Sequence, residues 1–597
     1  MRRRHSCLLH RDLSRCALFF ALIFLAACSR GPDRIDRLAI LRFENLSDDT
    51  SLNWIGRAFS DVIAAELSSA PDVYVIPPTR MLGFGPAFGV RPTSAPGISS
   101  ERSLAFLAGA NRIAYGQYYV RGGRLQARLT IEDPQTQKVS AVFETSSAPA
   151  DVIGAASAIA RRISRQSQPY STGNGQALEA YVIASESRDL SLMTSGLDHA
   201  IALDAGYAEP YEMLAEIQIQ QQNRAGAAAT LDRALGSVKA PGEGHARLTL
   251  EKAVLSGDAV ARRNALKGLL KFTPRDPTLW GSLGEMEMNH HDYRASMDAF
   301  RKSLAIEPEN VTALNSLAYA AAYAGDPKAA FEALYGYQSL RPGDANALDS
   351  LGDVNLISGQ LQQAQQFYVQ AAKKNPNLLS GGDWLKAAMA RLMNGNVAGG
   401  DEFAKQYIHT DLQRREWLWV TGRRREALEG NVPDPATAVI WSLLLGDRSA
   451  AARYASKTEG KTAEDLIARF LTASTTSDQL PPAMRDLAMS YSFLLDRRFA
   501  EAVPLLERLY SNMNPAADNG VAILLAWAYL ETDHAADAAP LLRFNPVPPA
   551  TGPGAFYAFY FPRLYELRAR LAERQGDSAE AEKDSNLYKK LSGTGLP

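Results

Sequence analysis

Residues 277–310 read PTLWGSLGEMEMNHHDYRASMDAFRKSLAIEPEN, residues 311–344 read VTALNSLAYAAAYAGDPKAAFEALYGYQSLRPGD, and residues 345–378 read ANALDSLGDVNLISGQLQQAQQFYVQAAKKNPNL. Set one above another at this 34-residue interval, the three stretches share a pattern. A bulky residue comes first (Trp280, Leu314, Leu348), then Leu283, Leu317 and Leu351, then a small residue (Gly284, Ala318, Gly352). Further on, Ser296, Ala330 and Ala364 precede Phe300, Leu334 and Tyr368; then come Ser303, Tyr337 and Ala371, and each copy closes on a proline, Pro308, Pro342 or Pro376. The pattern predicts two antiparallel helices per copy. Small residues let the helices approach, larger ones fill the space between them, and the proline ends the second helix because it has no N–H to continue the ladder. A unit this short cannot bury its apolar face alone, so the stack of units is the stable object.

This period and pattern resemble the tetratricopeptide repeat. The resemblance implies a helical solenoid that binds other proteins, with an inner surface lined by the first helix of each pair. The family frame places Gly281, Glu285, Asn289, Asn315, Tyr319, Asp349 and Asp353 on that surface. The set is acidic and amide-bearing with one aromatic, and it lacks the Lys and Arg of a repeat that clamps a carboxylate. It therefore predicts a neutral or basic protein or peptide partner.

The amino terminus carries a second signal. Residues 1–15 are arginine-rich, residues 16–27 are apolar, and the run ends Leu25-Ala26-Ala27-Cys28. This is the layout of an export signal, too short to span a bilayer comfortably. The ending resembles a bacterial lipobox, which implies a signal peptide over 1–27, lipidation of Cys28 as the first mature residue, and attachment to a membrane. Ser29 rather than Asp after the cysteine implies sorting to the periplasmic face of the outer membrane of a Gram-negative envelope. The three cysteines are Cys7, Cys16 and Cys28, so cleavage leaves no pair for an internal disulfide.

After a short tether (28–36), residues 37–167 read as an α/β domain. Strands are expected over 38–43, 73–76, 112–120, 124–132 and 138–145, with helices after the first strand, around 103–108 and over 151–163. Ile55, Phe59, Val62, Ile63 and Leu67 recur at helical spacing. Leu125, Ala127, Leu129 and Ile131 alternate with polar residues, giving one buried sheet face. Gly122-Gly123 and Asp133-Pro134-Gln135-Thr136 mark the turns. The stretch 38–47 (LAILRFENLS), Val73–Ile76 and the hairpin ending at Gln137 resemble the TolB-like amino-terminal domain, a relative of which occurs in flagellar lipoproteins of the FlgO type. Arg42 stands where that family usually has proline, and Gln117-Tyr118 replace its usual small residues. The resemblance implies no catalytic residues.

Residues 168–176 are polar and breaker-rich and predict a linker, with the solenoid running over 177–470. A polar break at 471–482 precedes further repeats over 483–597, the last pair, about 561–591, being expected to cap the stack with a polar outer face. The whole is expected to be predominantly helical.

Of 597 residues, 64 are Lys or Arg and 65 Asp or Glu, so nucleic-acid binding is not favoured. Arg423–Arg425 is expected to be a solvated charge cluster at a turn, and His290-His291 solvated turn residues rather than metal ligands. Gly83–Gly89 has the wrong spacing for a phosphate loop, and Pro86 lacks a donor a phosphate would need. No motif meets the requirements of a catalytic centre, so no enzyme activity, cofactor, metal or small-molecule substrate is expected. The sequence reads as a lipid-anchored periplasmic adaptor for envelope proteins; the alternative is a regulatory or signalling subunit that uses the TolB-like domain as its sensor or interaction module.

Overall fold

The computed structural model describes residues 35–77, 80, 98–511, 513–515, 520–549 and 554–593. The export signal, Cys28 and the glycine-rich loop at 83–89 lie outside the described residues. The described chain is an α/β sheet domain followed by helical hairpins, and it divides into two compact units at Asp276 and Pro277.

In the first unit the chain runs β1 (Asp36–Ile40), β2 (Glu44–Asn45), α1 (Trp54–Leu67), β3 (Val73–Val75), α2 (Ile98–Leu107), β4 (Arg112–Arg121), β5 (Arg124–Glu132), β6 (Val139–Ser147) and α3 (Val152–Ile163). This is the expected order with one short strand, β2, added. The sheet order is β3-β1-β4-β5-β6, with β2 beside β4. β1 lies parallel to β3 and β4, and β4, β5 and β6 form an antiparallel meander. Leu38, Ile40, Leu125 and Leu129 pack with Ile55, Phe59 and Val62 of α1 and Val152, Ala156 and Ile159 of α3. Phe43 enters the same core, stacked on Phe59 at 4.9 Å. Gly116 makes room for it, since a Cβ there would come within 2.2 Å of the Phe43 ring. Gly122 and Gly123, at φ 60° and 70°, turn the first hairpin with the twist its strands require.

The stretch 168–176 is docked rather than a free linker. Gln168 N–H donates to Glu66 O at 2.9 Å, Tyr170 O–H meets the Tyr207 hydroxyl at 2.8 Å, and Thr172 Oγ1 donates to Asp204 at 2.6 Å. Asn174 caps the following helix, α4 (Gly175–Glu186), whose Leu178 and Val182 complete the sheet domain's core. A polar composition left these groups free to find partners, and the neighbouring helices supply them. The unit continues through α5 (Leu190–Leu203), α6 (Ala208–Gln220), α7 (Arg224–Ser237), α8 (Glu243–Ser256) and α9 (Ala259–Leu269).

The second unit opens with the regular hairpins α10 (Pro277–Asn289) and α11 (Tyr293–Ile306), α12 (Val311–Ala324) and α13 (Pro327–Leu340), α14 (Ala345–Ile357) and α15 (Leu361–Lys374). Then come α16 (Gly382–Met393), α17 (Val397–Tyr407), α18 (Asp411–Val420), α19 (Arg424–Leu428), α20 (Pro435–Leu444), α21 (Arg448–Ala455), α22 (Ala463–Leu471) and α23 (Pro482–Leu495). The last are α24 (Phe499–Tyr510), α25 (Gly520–Glu531), α26 (Ala535–Leu541), α27 (Gly554–Tyr560), α28 (Arg563–Gln575) and α29 (Ser578–Ser592).

The break at 471–482 does not divide this unit. Thr476 and Gln479 form a capping box around a 3-10 turn, Leu480 is buried, and one apolar cluster runs from Leu356 to Leu591. The last helix packs one side on the unit and turns a polar side outward: Leu591 is buried and Lys590 donates to the carbonyl of Gly395, while Glu580, Glu582, Lys583 and Lys589 are exposed. The arginine run is solvated only in part, with Arg425 exposed and Arg423 half-buried. Arg424 is buried with its guanidinium 5.4 Å from the Trp419 ring centre, and burial pushes it down to about 10. Arg423 pairs with Asp401 at 2.8 Å.

Candidate interaction surface

The first helices of successive hairpins, α10, α12, α14 and α16, carry the residues assigned to the inner surface. One bonding rule joins them. Ser316 Oγ on α12 donates to Glu285 on α10 at 2.8 Å, Ser350 on α14 lies beside the Tyr319 hydroxyl on α12 and favours its ionised form, and Lys386 on α16 donates to Asp353 on α14 at 3.0 Å. In each case a residue near the start of one first helix reaches the carboxylate or phenol of the helix before it.

The third link is the strongest. Lys386 Nζ also meets Asp349 at 2.7 Å, the Tyr319 hydroxyl donates to Asp353 at 2.6 Å, and the Tyr368 hydroxyl donates to the other Asp353 oxygen at 2.8 Å. Asp349, Asp353, Asp383 and Lys386 are all buried. Burial pushes the Asp349 and Asp353 carboxyls up to about 6, with the mutual repulsion of the two acids adding at Asp353. Burial alone would lower the Lys386 ammonium; Asp353 and Asp349 outweigh it and hold it above its ordinary value.

These positions correct the expected groove. Asp349 and Asp353 are 5% and 3% exposed and belong to the packing between helices, and Tyr319 is tied to them, so none of the three forms a free acidic and aromatic face. The lysine missing from the predicted set is present, on the next first helix. Glu285 remains exposed, Asn289 and Asn315 are half-buried, and Gly281 has open space around its Cα. Asn315 Oδ1 is buried without a hydrogen-bond partner among the described residues.

Lys386 was missed because α16 departs from the 34-residue frame. The left-handed turn residues Gly325 and Gly359 lie 34 apart, whereas Gly359 and Gly395 lie 36 apart. With those two residues allowed for, Lys386 falls in line with Ser282, Ser316 and Ser350. Expected as solvated, His291 instead stacks on Tyr510 at 3.9 Å, and burial, followed by the charge of His290, pushes it down to about 4.

Among the described residues no group of three or more His, Cys, Asp or Glu is placed to hold a metal ion, and no helix is long and apolar enough to cross a membrane.

No family model matches the chain, and no curated protein matches it by sequence. Among solved structures, the fold is similar in part to that of MamA (20% identity over 28% of this chain and 88% of that one, TM-score 0.25). It is also similar to YrrB, described as a tetratricopeptide-repeat protein with an unusual peptide-binding site (15% identity, 31% of this chain and 94% of that one, TM-score 0.28). A third likeness is to PilW, described as a type IV pilus biogenesis factor (19% identity, 33% of this chain and 91% of that one, TM-score 0.28).

Proposed function

We propose that the protein is a lipid-anchored scaffold of the bacterial envelope that holds other proteins on its helical repeats, at the periplasmic face of the outer membrane. The observation that carries the reading is the row of adjacent first helices, which leaves Glu285 exposed and Asn289 and Asn315 half-buried beside it. A solenoid of this kind offers a continuous surface to an extended partner. The TolB-like resemblance of residues 37–167 supports a second binding module, and the Leu25–Cys28 ending supports the anchor.

A photo-crosslinking residue at position 285 or 289 should give discrete adducts in intact cells that are absent when it is placed at Lys328, a position 86% exposed on α13. Identical adduct patterns at all three positions would move the binding surface away from the first helices. The anchor has its own test. Two acyl chains contribute about 0.8 kcal/mol per buried methylene, so Cys28→Ser should release the protein from membranes or stall its precursor. Unchanged fractionation and migration would remove the lipobox from the reading.

A further inference from the structure

The second unit holds, against its regular hairpins, a piece of its own chain that behaves as a peptide ligand would. Residues 543–549 (RFNPVPP) join α26 to α27 without helix or strand. They run back across nearly two hundred residues of sequence to the carboxyl ends of α12 and α14. Phe544 meets the Tyr323 ring edge-on at 5.3 Å, and the Asn545 amide donates to Leu356 O at 3.1 Å. Phe544 and Val547 pack on the apolar cluster that contains Leu351, Val354 and Ile357.

The opposite wall reads main chain. Arg568 of α28 donates through Nε to Leu542 O, through Nη2 to Phe544 O and through Nη1 to Asn545 Oδ1, each at 2.8 Å. Two of these bonds hold the carbonyls of Leu542 and Phe544 whatever their side chains, and the third reads the Asn545 amide oxygen. Pro546, Pro548 and Pro549 have no N–H to satisfy and lose little freedom on becoming extended, which suits recognition in an apolar groove. Beside Phe544 lies a cavity of 440 Å³ lined by Tyr293, Tyr323, Tyr510, Ile523 and Leu541, room that a larger aromatic side chain could take.

We propose that the channel between the carboxyl ends of α12 and α14 and the face of α28 receives extended peptide segments of the form aromatic–Asn–Pro–apolar–Pro, that residues 543–549 occupy it in the resting protein, and that a partner binds by exchanging its own segment for them. This rests on the scaffold reading and names the class of partner. A tethered segment competes at an effective concentration on the order of millimolar, so an added peptide gains little access until the resident one is weakened.

The test uses the full chain and a fluorescein-labelled RFNPVPP peptide, followed by anisotropy. A Phe544→Ser/Val547→Ser variant should keep cooperative unfolding and bind the peptide saturably, at least roughly tenfold more tightly than wild type. A peptide with alanine in place of phenylalanine should not bind. A folded variant that ignores the peptide overturns the proposal. A variant that loses cooperative unfolding overturns it too, because the segment would then be core and not an exchangeable ligand. Neither result touches the crosslinking at Glu285 and Asn289, so failure here is distinct from failure of the scaffold reading.

Discussion

Lys386 carries one positive charge among three buried carboxyl groups, Asp349, Asp353 and Asp383, and the imbalance has a measurable consequence. Removing one partner of a buried ionic cluster costs about 3–5 kcal/mol when the others stay charged. Here the others can take up protons. Because the Asp349 and Asp353 carboxyls titrate near 6 in the folded protein against an ordinary 3.8, their contribution is fully present below about pH 4 and is lost as pH rises through 6. Lys386→Met should therefore cost about 3 kcal/mol at pH 8, where the acids must ionise beside an apolar side chain, and clearly less at pH 4.5, where they stay protonated. Urea denaturation of wild type and variant at the two pH values measures the difference; a penalty independent of pH would show that the acids do not share the site with the ammonium. The sequence contained every member of this cluster, and Tyr319, Asp349 and Asp353 were correctly assigned to first helices. Their burial was not legible, because it depends on a lysine displaced by a two-residue shift in the repeat frame.

At the scale of the element, the repeat is specified by its close approaches and its turns. A Cβ on Gly284 would sit 2.7 Å from Phe300 Cζ, whereas three residues earlier on the same helix Gly281 has nothing within 4 Å. The same substitution should therefore have opposite effects at the two sites. Gly281→Ala should stabilise by about 0.5–1 kcal/mol through helix propensity, and Gly284→Ala should lose more than that gain, because overpacking against a rigid ring costs about 1–3 kcal/mol. Thermal unfolding of both variants decides it, and equal shifts would deny the ring contact. The turns explain how the degenerate hairpins keep the fold. His291, Gly325, Gly395, Gly446 and Gly576 adopt positive φ, and in each case the next residue, Asp292, Asp326, Asn396, Asp447 or Asp577, accepts a hydrogen bond from the N–H three residues on. A left-handed residue followed by Asp or Asn was therefore a readable mark of the hairpin turn even where the apolar pattern fades. The strands were plainer in sequence, since alternation in β5 and the Gly122-Gly123 turn speak for themselves. Only β2, two residues long, gave no signal.

The whole chain divides where composition does not announce it. A polar stretch suggested a boundary at 168–176, but Leu178 and Val182 beyond it are fully buried in the core of the sheet domain, and Glu66 of α1 accepts from the backbone of Gln168 and Tyr170. Polar composition reports that a segment has no apolar face; it does not report whether its hydrogen-bonding groups find partners in the same molecule. A fragment beginning at Ala177 would expose Leu178 and Val182 and unpair the contacts of Tyr207, so its first hairpins, α4 to α7, have lost the surface they fold against. A fragment beginning at Pro277 instead starts at the boundary between the two compact units and keeps the second unit's own sequence whole. Residues 277–597 should therefore unfold cooperatively and show an almost purely helical circular dichroism spectrum. Residues 177–597 should show the same transition preceded by early, non-cooperative loss of signal from its amino-terminal hairpins. Hydrogen exchange resolves the two parts: protection across α4 to α7 equal to that in the intact protein would mean that the sheet domain is dispensable to them and that the boundary belongs at the polar stretch after all.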